Sequence, residues 1–300
     1  MRTIELNIRD SADAARFIEE CEADFSARID EALESLFEGH EAKIIALSGP
    51  TCSGKTTTAG KLTRRISRAG KRAVVISIDD FFKDRNDRNV VEGESPDYDS
   101  PAAIDLDYLA LFMERLRAGK PVLVPHYDFI APGRTGYDEY YPHPDDIYIF
   151  EGIQAVYPEV TELFGPGFRS VFMNVKEDIR YGDAVLDRDE IRLLRRTVRD
   201  FRFRGATPEF TLHLWESVRA NEKKNIFPNA WIRDLTIDSF LPYEPFLLSR
   251  YALPLLRTVP EDSRYRDEAD ALIGKLSAFD CPLFEERMIP HNSVFREFIG

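Results

Sequence analysis

A phosphate-binding loop between a strand and a helix constrains this chain more than any other feature of its sequence. Gly49 to Thr56 read Gly-Pro-Thr-Cys-Ser-Gly-Lys-Thr, which fits the pattern GxxxxGK[ST]. The apolar run Lys43 to Ser48 precedes it and predicts a buried parallel strand, and a helix is predicted from about Lys55 to Ala69. Because glycines let the loop curl, its backbone N–H groups and the positive end of the helix would face phosphate oxygens.

The residue types in this loop assign it to a nucleotide with magnesium. Lys55 would reach the β- and γ-phosphates, and the Thr56 hydroxyl would hold Mg²⁺. Kinases, ATPases and GTPases share such a loop, so the loop alone does not name a reaction. The residues predicted to bind the nucleotide are Gly49, Ser53, Gly54, Lys55, Thr56 and Thr57.

Strands and helices alternate on either side of this loop. Further strands are predicted at 72–78, 121–125, 147–150 and 170–175, with a helix at 105–118. This alternation predicts an α/β fold, a doubly wound parallel sheet of the P-loop NTPase type. A stretch rich in Pro, Gly, Tyr and Asp, residues 126–146, is predicted to be a long irregular loop, and its length favours a functional role.

The chain divides into three predicted regions. Residues 1–40 form a helical N-terminal extension, in which a helix at 11–38 is capped by Ser11. Residues 41–248 form the P-loop core, with an arginine-rich lid at about 188–224, and residues 249–300 form a helical C-terminal extension.

Acidic residues follow two of the predicted strands. Asp79 and Asp80 end one strand, and Glu151 ends another. Ligands of doubly wound sheets bind at the carboxyl ends of the strands, where the loop at Gly49 also begins. We therefore expect one of the two aspartates to act as a base or a metal-associated carboxylate, and Glu151 to orient Mg²⁺.

The composition excludes several classes of protein. With 43% hydrophobic residues the chain can build a sizeable core, and its net charge of −13 argues against a basic surface for nucleic acid. No apolar run approaches the roughly 18 residues of a membrane span. Three separated cysteines form no metal or disulfide pattern. We expect a cytoplasmic protein without nucleic-acid or membrane partners.

One predicted helix is strongly basic in this acidic chain. Residues 188–204 carry seven arginines and three acids, a net charge of +4. Five of the arginines share one side of the helix, and the apolar residues Ile191, Leu194, Val198 and Phe201 share another. A salt-bridged surface helix would explain this pattern, but concentrated arginine favours a lid that closes over polyphosphate. The five arginines are Arg188, Arg192, Arg195, Arg196 and Arg199.

Six motifs in order resemble the uridine kinase and phosphoribulokinase family. The resemblance runs from about Lys43 to Leu248. Its motifs are Gly49 to Thr56, Ile78 to Phe82, Tyr98 to Pro101 with Asp105, Tyr127 to Phe129 with Arg134, Phe150 to Ile153, and Arg195 to Asp200 with Arg204 and Gly205. The ending from Ile289 to Gly300 also resembles the tails of bacterial uridine-kinase-like proteins.

The resemblance implies a nucleoside kinase that uses ATP and Mg²⁺. It makes Asp79 the base for the acceptor 5′-hydroxyl, and Thr56, Glu151 and Asp79 the residues associated with the metal. Lys55, Arg196 and Arg199 would join Asp79 in catalysis. The implied acceptor-binding residues are Asp99, Tyr127, Phe129, Arg134 and Arg196.

Three positions depart from the family pattern. Pro132 stands where the family has a base-reading histidine, Ala206 ends the family's Arg-Gly-Arg, and Leu214 stands near an expected glutamine. The site is therefore expected to read a different or broader set of acceptors. His126 or His143 could replace the missing histidine.

Three functions remain open from the sequence. The leading hypothesis is an ATP-dependent nucleoside kinase that favours uridine or cytidine. The alternatives are a kinase of the same fold for another small hydroxyl acceptor, such as a sugar phosphate or an organic acid, and a P-loop nucleotide sensor or scaffold. We also expect a homo-oligomer.

Overall fold

The computed structural model describes residues 2–4, 8–38, 42–84, 100–128, 131, 133–232 and 234–300, and these residues form ten strands and nine α-helices. The strands are β1 (Arg2–Thr3), β2 (Ile44–Ser48), β3 (Arg72–Ser77), β4 (Val122–Asp128), β5 (Gly133–Tyr140), β6 (Asp146–Glu151), β7 (Arg169–Asn174), β8 (Ile179–Tyr181), β9 (Ala184–Leu186) and β10 (Leu235–Asp238).

The helices follow the apolar periodicity of the sequence in most places. They are α1 (Ser11–Phe37), α2 (Lys55–Arg68), α3 (Leu106–Arg117), α4 (Pro158–Phe164), α5 (Arg188–Arg204), α6 (Pro208–Asn221), α7 (Glu244–Leu256), α8 (Arg266–Ser277) and α9 (Arg296–Ile299). Asp10, and not the predicted Ser11, caps α1, because its carboxylate accepts hydrogen bonds from the Ala12 and Asp13 amides.

A five-stranded parallel sheet lies at the centre of the fold. Its strand order is β10-β7-β2-β6-β3, and every pair is parallel. Ile45 and Leu47 of β2 belong to one buried cluster and Ala46 to a second cluster, so both faces of the sheet are covered. The predicted doubly wound α/β fold is confirmed.

The two buried clusters distribute the helices between the faces. The first contains residues of α1, α2 and α5 to α9, and the second contains residues of α3 and α4. Ile18, Phe25 and Ile29 of α1 are fully buried in the first cluster, which also contains Phe295 and Phe298. Within the described ranges, no helix is long and apolar enough to cross a membrane.

The prediction of an irregular loop at 126–146 is wrong. Strands β4 and β5 form an antiparallel hairpin, with Val122 opposite Tyr140 and Asp128 opposite Gly133. The strand predicted at 121–125 is real, but it belongs to this hairpin and not to the parallel sheet. The register shifts between His126 and Tyr127, so a bulge interrupts the alternation just where the predicted strand ends too early.

The buried residues of helix α5 are not simply those on the predicted apolar side. Arg192 and Arg195 are fully buried, whereas Phe201, predicted on the apolar side, is 49% exposed. The buried arginines find carboxylates on later elements of the chain, which the helical periodicity of α5 alone cannot reveal.

Candidate active site

The loop between β2 and α2 has a backbone that only small residues permit. A Cβ on Gly49 would lie 2.1 Å from the Met173 carbonyl oxygen, so no side chain fits there. Gly54, the N-cap of α2, has a φ of +81°, and Cys52 has a φ of +57°. Such left-handed backbone turns successive N–H groups towards one concavity, as anion binding requires.

Polar groups of this loop fit a bound phosphate. The Ser53 hydroxyl is buried and has no hydrogen-bond partner in the part of the chain that the structure describes. The Lys55 Nζ donates a hydrogen bond to the Pro50 carbonyl oxygen at 3.1 Å, which folds the ammonium back over the loop. The residues therefore fit a polyphosphate, which would complete the hydrogen bonding of the loop.

Glu151 joins this loop to the end of the neighbouring strand. Residue pairing sets Glu151 of β6 opposite Leu47 of β2 on one side and Ser77 of β3 on the other. Its carboxylate accepts hydrogen bonds from the Thr56 and Ser77 hydroxyls, each at 3.3 Å. Burial, reinforced by the Asp79 carboxylate, raises the pKa of Glu151 to about 7, and Lys55 opposes this shift.

The adjacent aspartates Asp79 and Asp80 turn to different partners. Both lie in a 3₁₀ turn after β3. Burial raises the pKa of Asp79, and the Lys55 ammonium is the largest opposing influence. The Asp80 carboxylate instead accepts a hydrogen bond from the Tyr127 amide at 3.0 Å, which ties the turn to the hairpin. Asp79 is thus the one that shares the electrostatic environment of the phosphate-binding loop.

Three arginines gather around one buried carboxylate at the end of α5. Asp200 is 3% exposed and lies 3.1 Å from Arg196 Nε, 2.7 Å from Arg199 Nη2 and 3.6 Å from Arg204 Nη1. One carboxylate does not neutralise three guanidinium groups, so the cluster keeps net positive charge. Arg199 and Arg204 both lower the pKa of Asp79, after the larger effects of burial and Lys55, so this charge reaches the site.

Of the other three arginines predicted for the polyphosphate-binding side, Arg192 and Arg195 support the loop, whereas Arg188 is exposed and reaches the Lys176 carbonyl at 3.5 Å. Arg192 donates to the Glu222 carboxylate at 2.5 and 2.9 Å and to the Thr51 carbonyl at 3.3 Å. Arg195 donates to the Glu244 carboxylate at 2.6 and 2.7 Å and to the Cys52 carbonyl at 3.0 Å. Because their charges are neutralised by buried partners, these arginines position the loop and are not free for phosphate.

The hairpin forms a second wall next to Asp79 and Asp80. The Tyr127 ring is buried and packs edge-on against Phe82, with ring centroids 5.6 Å apart. Arg134 donates to the Asp105 carboxylate at 2.8 Å, and its guanidinium lies 4.9 Å from the centroid of the Tyr108 ring. Two predicted acceptor-binding residues, Tyr127 and Arg134, therefore lie on the β4–β5 hairpin. The hydrogen bond from the Tyr127 amide to Asp80 connects this hairpin to the turn that carries Asp79.

Comparison with known proteins agrees with this arrangement. The sequence model described as the Phosphoribulokinase / Uridine kinase family matches residues 44–241, more than half of the chain. The chain belongs to this family. Membership makes it a P-loop kinase, a phosphotransferase with an alcohol group as acceptor, and implies ATP as a substrate.

Individual relatives match at moderate identity. The uridine kinase of Leuconostoc citreum is 29% identical over 56% of this chain and 73% of its own length. The uridine kinase of Deinococcus deserti is 28% identical over 68% of this chain and 91% of its own length. The uridine kinase-like protein 3 of Arabidopsis thaliana is 30% identical over 46% of this chain, but the match spans only 28% of that protein.

Two of the predicted acceptor-binding residues, Asp99 and Phe129, lie outside the described residues, as does Pro132, one of the departures from the family pattern. The two histidines offered as replacements are about half exposed and each lies near an acid, His126 by Asp138 at 2.9 Å and His143 by Asp145 at 3.6 Å. Ala206 and Leu214, the other departures from the family pattern, are partly buried, Ala206 in the connection between α5 and α6 and Leu214 within α6.

One acidic side chain at the site, that of Glu297, was not predicted from the sequence. Glu297 accepts hydrogen bonds from the Thr57 amide at 3.1 Å and from the Thr57 hydroxyl at 2.9 Å. Glu222 and Glu244, which neutralise Arg192 and Arg195, were likewise missed. These contacts join residues 30 to 240 positions apart, so no local spacing could have revealed them.

Proposed function

We propose that this kinase transfers the γ-phosphate of ATP to the 5′-hydroxyl of a nucleoside, with uridine or cytidine favoured. The observation that carries the proposal is the meeting of three features at the ends of neighbouring strands: the phosphate-binding loop after β2, Glu151 at the end of β6, and Asp79 after β3. Donor phosphates and an acceptor hydroxyl brought together here would react directly.

In the proposed reaction, Asp79 accepts the proton of the 5′-hydroxyl. The hydroxyl oxygen bonds to the γ-phosphorus while the bond to the bridging oxygen breaks, and ADP leaves with that electron pair. A carboxylate with a raised pKa holds the transferred proton better than an ordinary aspartate does. The positive cluster of Arg196, Arg199 and Arg204 would stabilise negative charge on the transferring group.

On the donor side, the amides of the loop, the Ser53 hydroxyl and the Lys55 ammonium would bind the phosphates. Thr56 and Glu151 are proposed to hold Mg²⁺, with Asp79 close by. Oxygen ligands of this kind suit a hard divalent cation, and Mg²⁺ would neutralise part of the phosphate charge.

On the acceptor side, the hairpin is proposed to hold the nucleoside. Tyr127 and Phe129 would frame the base, while Asp99 and Arg134 would bind polar groups of the acceptor. Tyr127 is held in place by its ring contact with Phe82 and by the bond from its amide to Asp80.

A kinase for a different small alcohol is the second candidate. Pro132 replaces the family's base-reading histidine, and His126 and His143 are exposed and already lie beside carboxylates. A site without a base-reading hydrogen bond discriminates weakly between bases, so other hydroxyl acceptors compete better.

The test is ADP release from Mg·ATP by the purified full chain. Parallel reactions contain no acceptor, uridine, cytidine, adenosine, guanosine or sugar phosphates, and the matched control is Lys55→Ala. Stimulation by uridine or cytidine that the control lacks is the expected result. Stimulation by another alcohol alone favours the second candidate. ATP binding without stimulation by any acceptor contradicts both kinase assignments and favours a nucleotide sensor.

A further inference from the structure

The C-terminal segment, residues 289–300, packs directly on the phosphate-binding loop. Its apolar side chains are buried in the first cluster: Ile289, Val294, Phe295, Phe298 and Ile299. The Phe298 ring lies 4.8 Å from the guanidinium carbon of Arg195. A Cβ on Gly54 would lie 2.3 Å from Val294 Cγ2, so this segment closes against the N-cap of α2.

The Glu297 side chain of this segment accepts hydrogen bonds from Thr57, one of the residues predicted to bind the donor phosphates. Glu297 accepts hydrogen bonds from both the amide and the hydroxyl of Thr57, in the first turn of α2. Burial and the Asp79 carboxylate are the larger causes of the raised pKa of Glu151, and the negative charge of Glu297 adds to them. Glu297 therefore carries its charge into the nucleotide site.

A carboxylate and a phosphate can bind the same hydrogen-bond donors at the start of a helix. Both are anionic oxygen acceptors, and both gain from free amides and from the positive end of a helix. The Thr57 amide has a single hydrogen, which Glu297 already uses. A phosphate placed there would also meet the negative charge of Glu297 at close range, in a partly buried setting where repulsion is strong.

The segment offers a way for the side chain to leave without unfolding. Arg296 fixes the backbone through the Glu286 and Ile289 carbonyls. Beside Thr57 lies a cavity of about 340 Å³, whose lining includes the cationic residues Lys61, Arg64 and Arg296 together with Glu297 itself. A rotation of Glu297 into this cavity keeps its charge near cations, while the apolar residues around it stay buried.

We propose that Glu297 is a residue of the donor site and an internal competitor of the donor. Its carboxylate occupies the place of a donor phosphate at Thr57, and the donor binds when its phosphate displaces that carboxylate. This inference rests on the proposed function only in that the loop at Gly49 to Thr57 binds the donor, and it does not depend on which alcohol is phosphorylated.

Binding of Mg·ATP and of Mg·ADP tests the inference by calorimetry on the full chain. Glu297→Gln keeps the shape of the side chain and removes its charge, and it is expected to bind both nucleotides about tenfold more tightly. Glu297→Ala also removes the hydrogen bonds and is expected to bind at least as tightly. The matched control, Glu285→Gln, removes one negative charge from a residue paired with Arg287 and leaves the affinity unchanged.

Thermal unfolding provides a second readout. Without nucleotide, both Glu297 variants are expected to unfold at a lower temperature, because the contact with Thr57 is weakened or lost. Mg·ATP is expected to raise the unfolding temperature of the variants more than that of the wild type. A purely structural contact would lower the unfolding temperature of the variants, and Mg·ATP would then raise it by no more than it does in the wild type.

The outcomes separate this inference from the proposed function. Tighter binding by either Glu297 variant supports it, even if no acceptor stimulates turnover. Equal or weaker binding by both variants overturns it, even if nucleoside kinase activity is found. Absence of nucleotide binding in the wild type and in both variants overturns the donor site and the inference together.

Discussion

Asp79 and Asp80 show how neighbouring residues of the same type take different roles. The 3₁₀ turn after β3 points successive side chains in different directions, so Asp80 reaches the Tyr127 amide while Asp79 stays near Lys55 and Glu151. The sequence identified the pair but offered no means of choosing between them except the family resemblance. The choice depends on the hairpin, which supplies a partner for one of them.

Removal of the Asp79 carboxylate tests its proposed role. Asp79→Asn is expected to bind Mg·ATP nearly as well as the wild type but to lose roughly 10²- to 10⁴-fold in kcat, because the amide cannot accept the acceptor proton. The measurement is steady-state kinetics beside calorimetric binding of ATP. Asp80→Asn is the matched control and is expected to lose much less in kcat; similar losses in the two variants would contradict the assignment.

Lys55 provides a second test at the scale of one residue. Its ammonium lies over the loop and would neutralise donor phosphate charge in both the ground state and the transition state. Lys55→Ala is therefore expected to weaken ATP binding and to lower turnover together, each by at least about tenfold. Kinetics like those of the wild type would contradict the phosphate-binding role of the loop.

Helix α5 divides its arginines between support and charge. Arg192 and Arg195 are buried against carboxylates and donate to loop carbonyls, whereas Arg196, Arg199 and Arg204 share Asp200. A helix places residues three and four positions apart on one side, but it does not decide what covers that side. Glu222 and Glu244, which lie after α6, cover Arg192 and Arg195. Burial raises the pKa of Asp79, and Arg199 and Arg204 stay close enough to it to oppose this rise.

This division predicts that substitution of Arg195 mainly lowers stability, whereas substitution of the adjacent Arg196 mainly lowers turnover. Arg195→Met leaves the Glu244 carboxylate buried without its partner, so it is expected to lower the free energy of unfolding by about 3–5 kcal/mol. Arg196→Met leaves Asp200 with Arg199, so it is expected to change that free energy by about 1 kcal/mol at most while turnover falls at least tenfold. Denaturant unfolding and steady-state kinetics of both variants make the comparison. Similar stability losses, or a turnover loss confined to Arg195→Met, would contradict it.

At the scale of the whole molecule, the terminal regions and the kinase core share one buried cluster. Phe25 of α1 is fully buried, and it belongs to the same cluster as Leu47 of β2 and Phe298 of the C-terminal segment. The predicted division at residues 40 and 248 stays a prediction. The packing indicates that the first region is held to the core by apolar contacts and not by a linker alone.

A pair of phenylalanine substitutions tests this packing. Phe25→Ala is expected to lower the free energy of unfolding of the full chain by about 3–5 kcal/mol, because it leaves a cavity where α1 meets the core. Phe201→Ala removes a 49% exposed ring and is expected to change that free energy by about 0.5 kcal/mol or less. Both values come from denaturant unfolding. A stability loss as small for Phe25→Ala as for Phe201→Ala would show that α1 contributes little to the core.

The parts of this protein that the sequence determined are those with a local signature. Glycines and a lysine at set spacing, with a strand before them and a helix after them, predict the phosphate-binding loop. Alternating apolar runs and helices predict the parallel sheet, and the carboxylates after β3 and β6 then fall at one edge of it. The start of β4 was predicted, but its end and the whole of β5 were missed because Pro, Gly and Asp interrupt the alternation there.

Only the tertiary structure decided which charges are neutralised and which remain in the site. Arg195 with Glu244, Arg192 with Glu222 and Thr57 with Glu297 are contacts between residues far apart in the chain. Nothing in the neighbourhood of either partner encodes such a pair, because the contact exists only once the elements between them have packed. The sequence therefore determined the place of the chemistry, whereas the packing decided the electrostatic state of that place.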